Sequence, residues 1–191
     1  MKIIVIGATG TIGAAVAAAL EDRHEVVRAS RSGSPSVELE DPASIAALLA
    51  AAGTVDAVVC CAASARMAPL DAPDEAFLSG LQGKLLGQVA LLRLALPYLR
   101  DGGSITLTAG TFDPPMAGAA FGALVNAGLE AFVRAAALEL PRGLRLNAVS
   151  PGWVRETLAA MGRDGGTPAA DVARAYVAAV EGSAQGQVIR P

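Results

Sequence analysis

Three glycines, Gly7, Gly10 and Gly13, and one arginine, Arg31, are the residues of this chain best placed to do chemistry. The glycines are spaced G-x-x-G-x-x-G in MKIIVIGATGTIG, between the apolar run Lys2–Ile6 and the helical pattern Ile12–Leu20. Gly7 permits a sharp turn out of a strand. Gly10 lets the backbone approach a pyrophosphate, and Gly13 lets a helix pack close to the strand. The free N–H groups and partial positive charge at the helix start then face the phosphates. Thr9 and Thr11 add hydroxyl donors, and Ile12 completes the turn. A second signal follows the next strand, in Ala29–Ser30–Arg31–Ser32. A carboxylate at that place would bind the 2′-hydroxyl of an adenosine ribose, but none is present. Arg31 offers forked, charge-assisted hydrogen bonds to a 2′-phosphate instead, with Ser30 and Ser32 as donors. The expected ligand is therefore NADP(H) rather than NAD(H). The competing readings are a bare tight turn and a solvated surface arginine.

Such a turn works only if strands and helices alternate around it. Apolar runs predict strands over Lys2–Ile6, Glu25–Ala29, Val37–Leu39, Val55–Cys61, Ser104–Thr108, Arg145–Val149 and Gln187–Arg190. Helical patterns fill Ile12–Leu20, Pro42–Ala51, Asp74–Leu99, Gly118–Leu140 and Asp171–Glu181, with Asp41 as N-cap and Pro42 at the first helical position of the second. The alternation implies right-handed crossovers and one α/β domain over residues 1–191: a Rossmann-type, doubly wound, parallel seven-stranded sheet with helices on both faces. In the 74–99 helix, Leu85, Leu86, Val89, Leu92 and Leu96 are expected to face the sheet. That leaves Leu91, Leu94 and Ala95 for another partner. Ala120, Leu124, Leu129, Phe132 and Val133 wrap most of the way round the 118–140 helix. Helices apolar on more than one face predict burial against a second copy, as a homodimer or homotetramer built on 81–99 and 118–140. The stretch Gly162–Pro168 (GRDGGTP) reads either as a substrate lid at the carboxyl edge or as an ordinary surface loop.

Composition narrows the partners. The hydrophobic fraction is 53%, aromatics are only 4%, and the net charge is -3, so the mass is aliphatic and no basic surface invites nucleic acid. No apolar stretch is long and uncharged enough to span a membrane, and the absence of an export signal argues for the cytoplasm. Cys60 and Cys61 are neighbours on a strand, pointing to opposite faces, and read as small buried hydrophobes. No cluster has metal-ligand spacing, and no serine has a partnered histidine.

The GATGTIG turn, VELEDPASI (Val37–Ile45), CCAA (Cys60–Ala63) and RLNAVSPGWV (Arg145–Val154) together resemble the short-chain dehydrogenase/reductase family, over nearly the whole chain. The resemblance implies that Glu38 contacts the adenine and that Cys61, Ala62 and Ala63 line the cofactor. It also implies Pro151, Gly152 and Val154 near the nicotinamide. Thr157 resembles the threonine that touches the cofactor, one residue later than usual. Family members usually continue through a substrate loop and a Gly-Gly tail, so the lid over this site is expected to be reduced.

The family's chemistry uses Tyr as acid/base, Lys to lower its pKa, Ser to polarise the carbonyl, and Asn to order a water. None of the four is retained. Asn126 stands at the Lys position, Gly122 at the Tyr position, the Ser falls within Thr108–Thr111, and the Asn position falls on Lys84. The chain is thus similar to a short subgroup that keeps the glycine motif without the Ser-Tyr-Lys residues. Two readings follow. One is a diverged NADP(H)-dependent oxidoreductase acting on a carbonyl or alcohol, with Lys84 as cationic donor and Thr108 or Thr111 polarising the carbonyl. The other is a non-catalytic NADP(H)-binding module, a redox sensor or scaffold.

Overall fold

Ile3, Ile4 and Val5 expose no surface at all, as a central strand does when helices cover both of its faces. The computed structural model describes residues 1–62 and 67–191. Among the described residues, six parallel strands form one sheet in the order β2-β1-β3-β4-β5-β6. They are β1 (Lys2–Ile6), β2 (Glu25–Ala29), β3 (Val55–Cys60), β4 (Leu99–Thr108), β5 (Arg145–Val149) and β6 (Val188–Ile189). The chain winds outward from β1 to β2, then returns to β3 on the other side. That reversal opens a crevice at the carboxyl ends of β1 and β3, where ligands bind in such sheets.

Two layers of helices cover the sheet. On one face α1 (Thr11–Glu21) packs against α7 (Ala169–Glu181), burying Val16, Leu20, Val172 and Tyr176. On the other face lie α2 (Pro42–Ala52), α4 (Gly87–Ala95) and α5 (Ala120–Ala136), burying Ile45, Leu49, Leu91, Leu129 and Val133. Each large aliphatic side chain so buried contributes roughly 1.5–3 kcal/mol. Asp41 caps α2 as expected: its Oδ1 accepts from the Ala43 N–H at 2.9 Å. Two short helices complete the chain, α3 (Asp74–Ser79) and α6 (Arg155–Ala160).

Three expectations need correction. The sheet has six strands, because Val37–Leu39 forms none. One bridge, Ser30 to Ser36, is all the pairing there. Val37 and Leu39 instead plug the core, and their backbone runs against the helix beyond: a Cβ at Gly87 would lie 2.7 Å from the Leu39 carbonyl oxygen. Second, the 74–99 helix is not one α-helix. Gly80–Leu86 is a π-helix between α3 and α4. Its extra residues per turn rotate the apolar stripe, so Leu91 and Ala95 are fully buried while Leu86 is half-exposed. Third, the 118–140 helix begins only at Ala120, because Gly118 has φ of +79°.

Candidate functional site

The glycine turn is built as its spacing demands. Gly7 has φ of +80°, and its N–H donates to the Ala29 carbonyl at 2.8 Å. A Cβ on Gly7 would lie 2.6 Å from Ala62 N, and one on Gly13 only 2.0 Å from Gly7 O. Gly13 therefore seats α1 against β1. A Cβ on Gly10 would meet nothing closer than Gly7 O at 3.4 Å, so that side of the turn faces open space. Gly10 is also the N-cap of α1 and supplies no side-chain cap, which leaves the first N–H groups of the helix directed outward.

Beside the turn lies a groove of about 280 Å³, lined by Gly7, Thr9, Gly10, Ser30, Arg31, Ser32, Glu38, Cys61 and Ala62. The structure thus brings together nine of the predicted cofactor residues. Thr11, Ile12 and Gly13 stand behind the turn on α1 and do not line the groove. Ala63 lies outside the described residues. Ser30 is buried, and its hydroxyl finds no partner among the described residues. A Cβ on Gly33 would sit 2.6 Å from that hydroxyl. An orphaned hydroxyl beside an exposed arginine, next to uncapped helix N–H groups, fits the ribose and pyrophosphate of a dinucleotide. Glu40 also lines the groove and was not anticipated. Burial pushes the Cys60 thiol up to about 12, which keeps it an inert hydrophobe.

At the end of β4 the predicted groups divide. Thr108 is buried, and its hydroxyl is committed to the interior: it donates to the Cys60 carbonyl at 2.5 Å and pairs with the Tyr176 hydroxyl at 2.6 Å. It is thereby replaced as the candidate polarising group by its neighbours. Thr111 reaches the adjacent cleft, with its N–H on the Pro151 carbonyl at 2.9 Å. Gly110, which sequence reasoning passed over, is the meeting point. A Cβ there would lie 3.1 Å from Asn126 Nδ2 and 3.5 Å from Lys84 Nζ.

Lys84 sits on the π-helix and is only 7% exposed, with no ion pair among the described residues. Burial lowers its pKa from 10.5 to about 8. Its backbone is fixed by Gln88, another residue the sequence did not signal. The Gln88 amide donates to the Lys84 carbonyl at 2.7 Å and to the Thr108 carbonyl at 3.0 Å, and accepts from the Thr108 N–H at 2.8 Å. The fully buried glutamine ties the π-helix to the end of β4. Asn126 is also buried, and its Oδ1 has no partner among the described residues. A buried cation and a buried orphan acceptor thus converge on one point.

Gly122, expected at the tyrosine position, is buried on α5. The Phe112 ring occupies the space above it, 3.1 and 3.2 Å from where a Cβ on Gly122 would be. Phe112 meets Trp153 edge-on with ring centres 6.4 Å apart, and the Arg163 guanidinium lies 5.8 Å over the Trp153 ring. The cleft at this wall measures about 710 Å³ and includes Gly110, Thr111, Phe112, Asn126 and Glu130. Pro151 and Gly152 lead into it: a Cβ on Gly152 would lie 4.0 Å from Thr111 Cγ2. Val154 is buried and bridges Thr167, with Arg155 N–H donating to Thr167 O and Thr167 N–H to Trp153 O, both at 2.9 Å. The 162–168 loop is pinned by these bonds at its far end. Thr157 stands on α6, half-buried. Among the described residues no cluster of His, Cys, Asp or Glu could hold a metal ion, and no helix is long and apolar enough to cross a membrane.

A family model described as enoyl-(acyl carrier protein) reductase matches residues 13–185. No curated protein matches the chain. Among solved structures, the protein lin1944 from Listeria innocua is 36% identical with a TM-score of 0.95, covering 100% of this chain and 98% of its own. A small-chain dehydrogenase is 31% identical with a TM-score of 0.87, covering 100% and 95%. Another, in complex with NADPH, is 28% identical with a TM-score of 0.88, covering 100% and 96%. With the glycine turn, the sheet order and a match over nearly its whole length, the chain belongs to the short-chain dehydrogenase/reductase family.

Proposed function

We propose that the protein is an NADP(H)-dependent oxidoreductase acting on a carbonyl or alcohol, with Lys84 serving where the family uses its Tyr-Lys pair. The observation that carries this is the convergence on Gly110 of Lys84 Nζ and the Asn126 amide, whose Oδ1 has no partner among the described residues, beside the Pro151–Gly152 turn. When bound, the nicotinamide supplies a hydride. The chain's residues do the rest. Gly7, Gly10 and the α1 N-terminus receive the pyrophosphate, and Arg31 with Ser30 receives the 2′-phosphate. The similar small-chain dehydrogenase in complex with NADPH supports that choice of nucleotide. Lys84, with its pKa lowered to about 8, holds a proton near neutral pH that it can release to a developing oxyanion. Asn126 and Thr111 orient the acceptor. A screen of carbonyl compounds with NADPH tests the proposal: turnover by the wild type and its loss in Lys84→Ala are expected.

A second reading, a non-catalytic NADP(H)-binding module, is favoured by Phe112, which fills the space above Gly122 and leaves no phenol at the site. Tight NADPH binding with no turnover of any carbonyl would select it.

A further inference from the structure

Reduction of a saturated ketone leaves an alkoxide, about as basic as hydroxide. A well-placed acid must protonate it. Reduction of a quinone leaves a phenolate, whose conjugate acid titrates near 10, as a tyrosine does. The two anions differ by roughly six orders of magnitude in basicity. A site that has lost its phenol but keeps a buried cation is suited to the second anion, because stabilising charge matters more there than delivering a proton.

The geometry around Gly110 has this character. Lys84 lies between the two hollows: Gly83, its neighbour, lines the nucleotide groove, and Gly110, 3.5 Å away by its Cβ position, lines the cleft. Phe112, which lines the cleft together with Asn126, gives it an aromatic surface. Phe112 takes the place of the missing phenol, and Trp153 stands edge-on to it, held by Arg163. Both rings keep part of their surface exposed. A flat conjugated ring stacks on such a wall in offset or edge-to-face fashion, and a puckered aliphatic ring does not. Leu70, Pro115 and Met116 extend the cleft as an apolar surface.

Resting on the oxidoreductase reading above, we propose that this site takes a quinone as its electron acceptor, stacked on Phe112, with one carbonyl oxygen toward Asn126 and Lys84. The balance is complete with NADPH as the reductant. The C–H bond of the reduced nicotinamide breaks and its hydride, carrying two electrons, forms an O–H bond at one quinone oxygen. The other oxygen becomes a phenolate, and the Lys84 ammonium gives it a proton. The quinone is reduced to the hydroquinone, the nicotinamide is oxidised, and Lys84 regains its proton from water.

The test compares duroquinone with menthone. The two have equal carbon number, and the fully substituted quinone ring leaves no position at which Cys61 can add. Trp153 is the only tryptophan of the chain and its ring centre lies 6.4 Å from that of Phe112, so its fluorescence reports a quinone bound at Phe112 without any turnover. The expected results are saturable quenching by duroquinone, weakened at least tenfold in Phe112→Leu, and NADPH oxidation at least a hundredfold faster with duroquinone than with menthone. Lys84→Met should lower kcat at least tenfold while weakening the quenching less than Phe112→Leu does. Menthone reduced as fast as duroquinone would overturn the quinone inference and leave the oxidoreductase reading standing. Saturable quenching with no NADPH oxidation would overturn it as well. Failure to bind NADPH would remove both.

Discussion

Lys84 is the residue on which chemistry and stability pull against each other. Its charge is buried among groups that offer no anion among the described residues, so folding favours the neutral amine and lowers the pKa from 10.5 to about 8. Between these values the unfolded chain binds more protons than the folded one, so stability rises with pH across that window. Below pH 8 both states carry the proton and the cost is present in full, about 3 kcal/mol for a displacement of this size. Lys84→Met should therefore stabilise the protein at pH 7 by up to about 3 kcal/mol, with the gain fading as the pH climbs from 8 to 10.5. Chemical denaturation at pH 7 and pH 10 measures this, and a variant less stable than wild type at pH 7 contradicts it. If Lys84 is the proton donor, turnover should also fall as the pH rises through about 8. The sequence exposed Lys84 only through its place in a family pattern. Gly110 and Phe112 had no signal at all, because a glycine that clears space and a ring that fills it are defined by neighbours distant in sequence.

The strand–turn–helix at the N-terminus was fully legible, since every step from Lys2 to Gly13 is local. Gly10 and Gly13 nonetheless do different work, and substitution separates them. Gly13→Ala drives a Cβ to 2.0 Å from Gly7 O, a backbone atom that cannot swing aside. It should cost about 1–3 kcal/mol of stability, the usual range for overpacking, and nucleotide binding with it. Gly10→Ala adds a Cβ on the open side of the turn, so the thermal midpoint should hardly move while NADPH affinity drops. Equal losses of stability in the two variants would contradict this division of labour. The segment from Asp74 to Leu99 was less legible. A continuous 3.6-residue pattern assigns Leu86 to the sheet side, but the π-helix over Gly80–Leu86 turns that leucine outward and buries Leu91. A π-helix leaves no mark in hydrophobic periodicity. Here Gln88, just beyond it, ties its Lys84 carbonyl to the end of β4 through bonds that local sequence does not reveal. Val37–Leu39 misled for a similar reason: an apolar triplet reads alike as strand or as core plug.

Across the whole molecule, the parallel sheet and its two helical layers could be read from alternation alone, except for the strand count. The outer surface of α5 was only half readable. Ala120, Ala123, Leu124, Ala127, Gly128 and Ala131 form one exposed stripe, and Leu124 is 57% exposed. Small residues flanking an exposed leucine suit close packing against a second helix, and half-exposed Leu86 lies on the preceding segment. We expect a homodimer or homotetramer through these helices. Light scattering should give at least twice the mass of 19.1 kDa, with Leu124→Glu lowering it, whereas a monomeric wild type would refute the interface. Loss of one such apolar contact matters less to function than the nucleotide groove, without which no hydride can be supplied. Calorimetric titration of the wild type and of Arg31→Ala with NADPH and NADH is the most direct test. NADPH should bind at least tenfold tighter than NADH in the wild type, with the preference lost in Arg31→Ala. Equal affinity for the two nucleotides, or binding of neither, would contradict it.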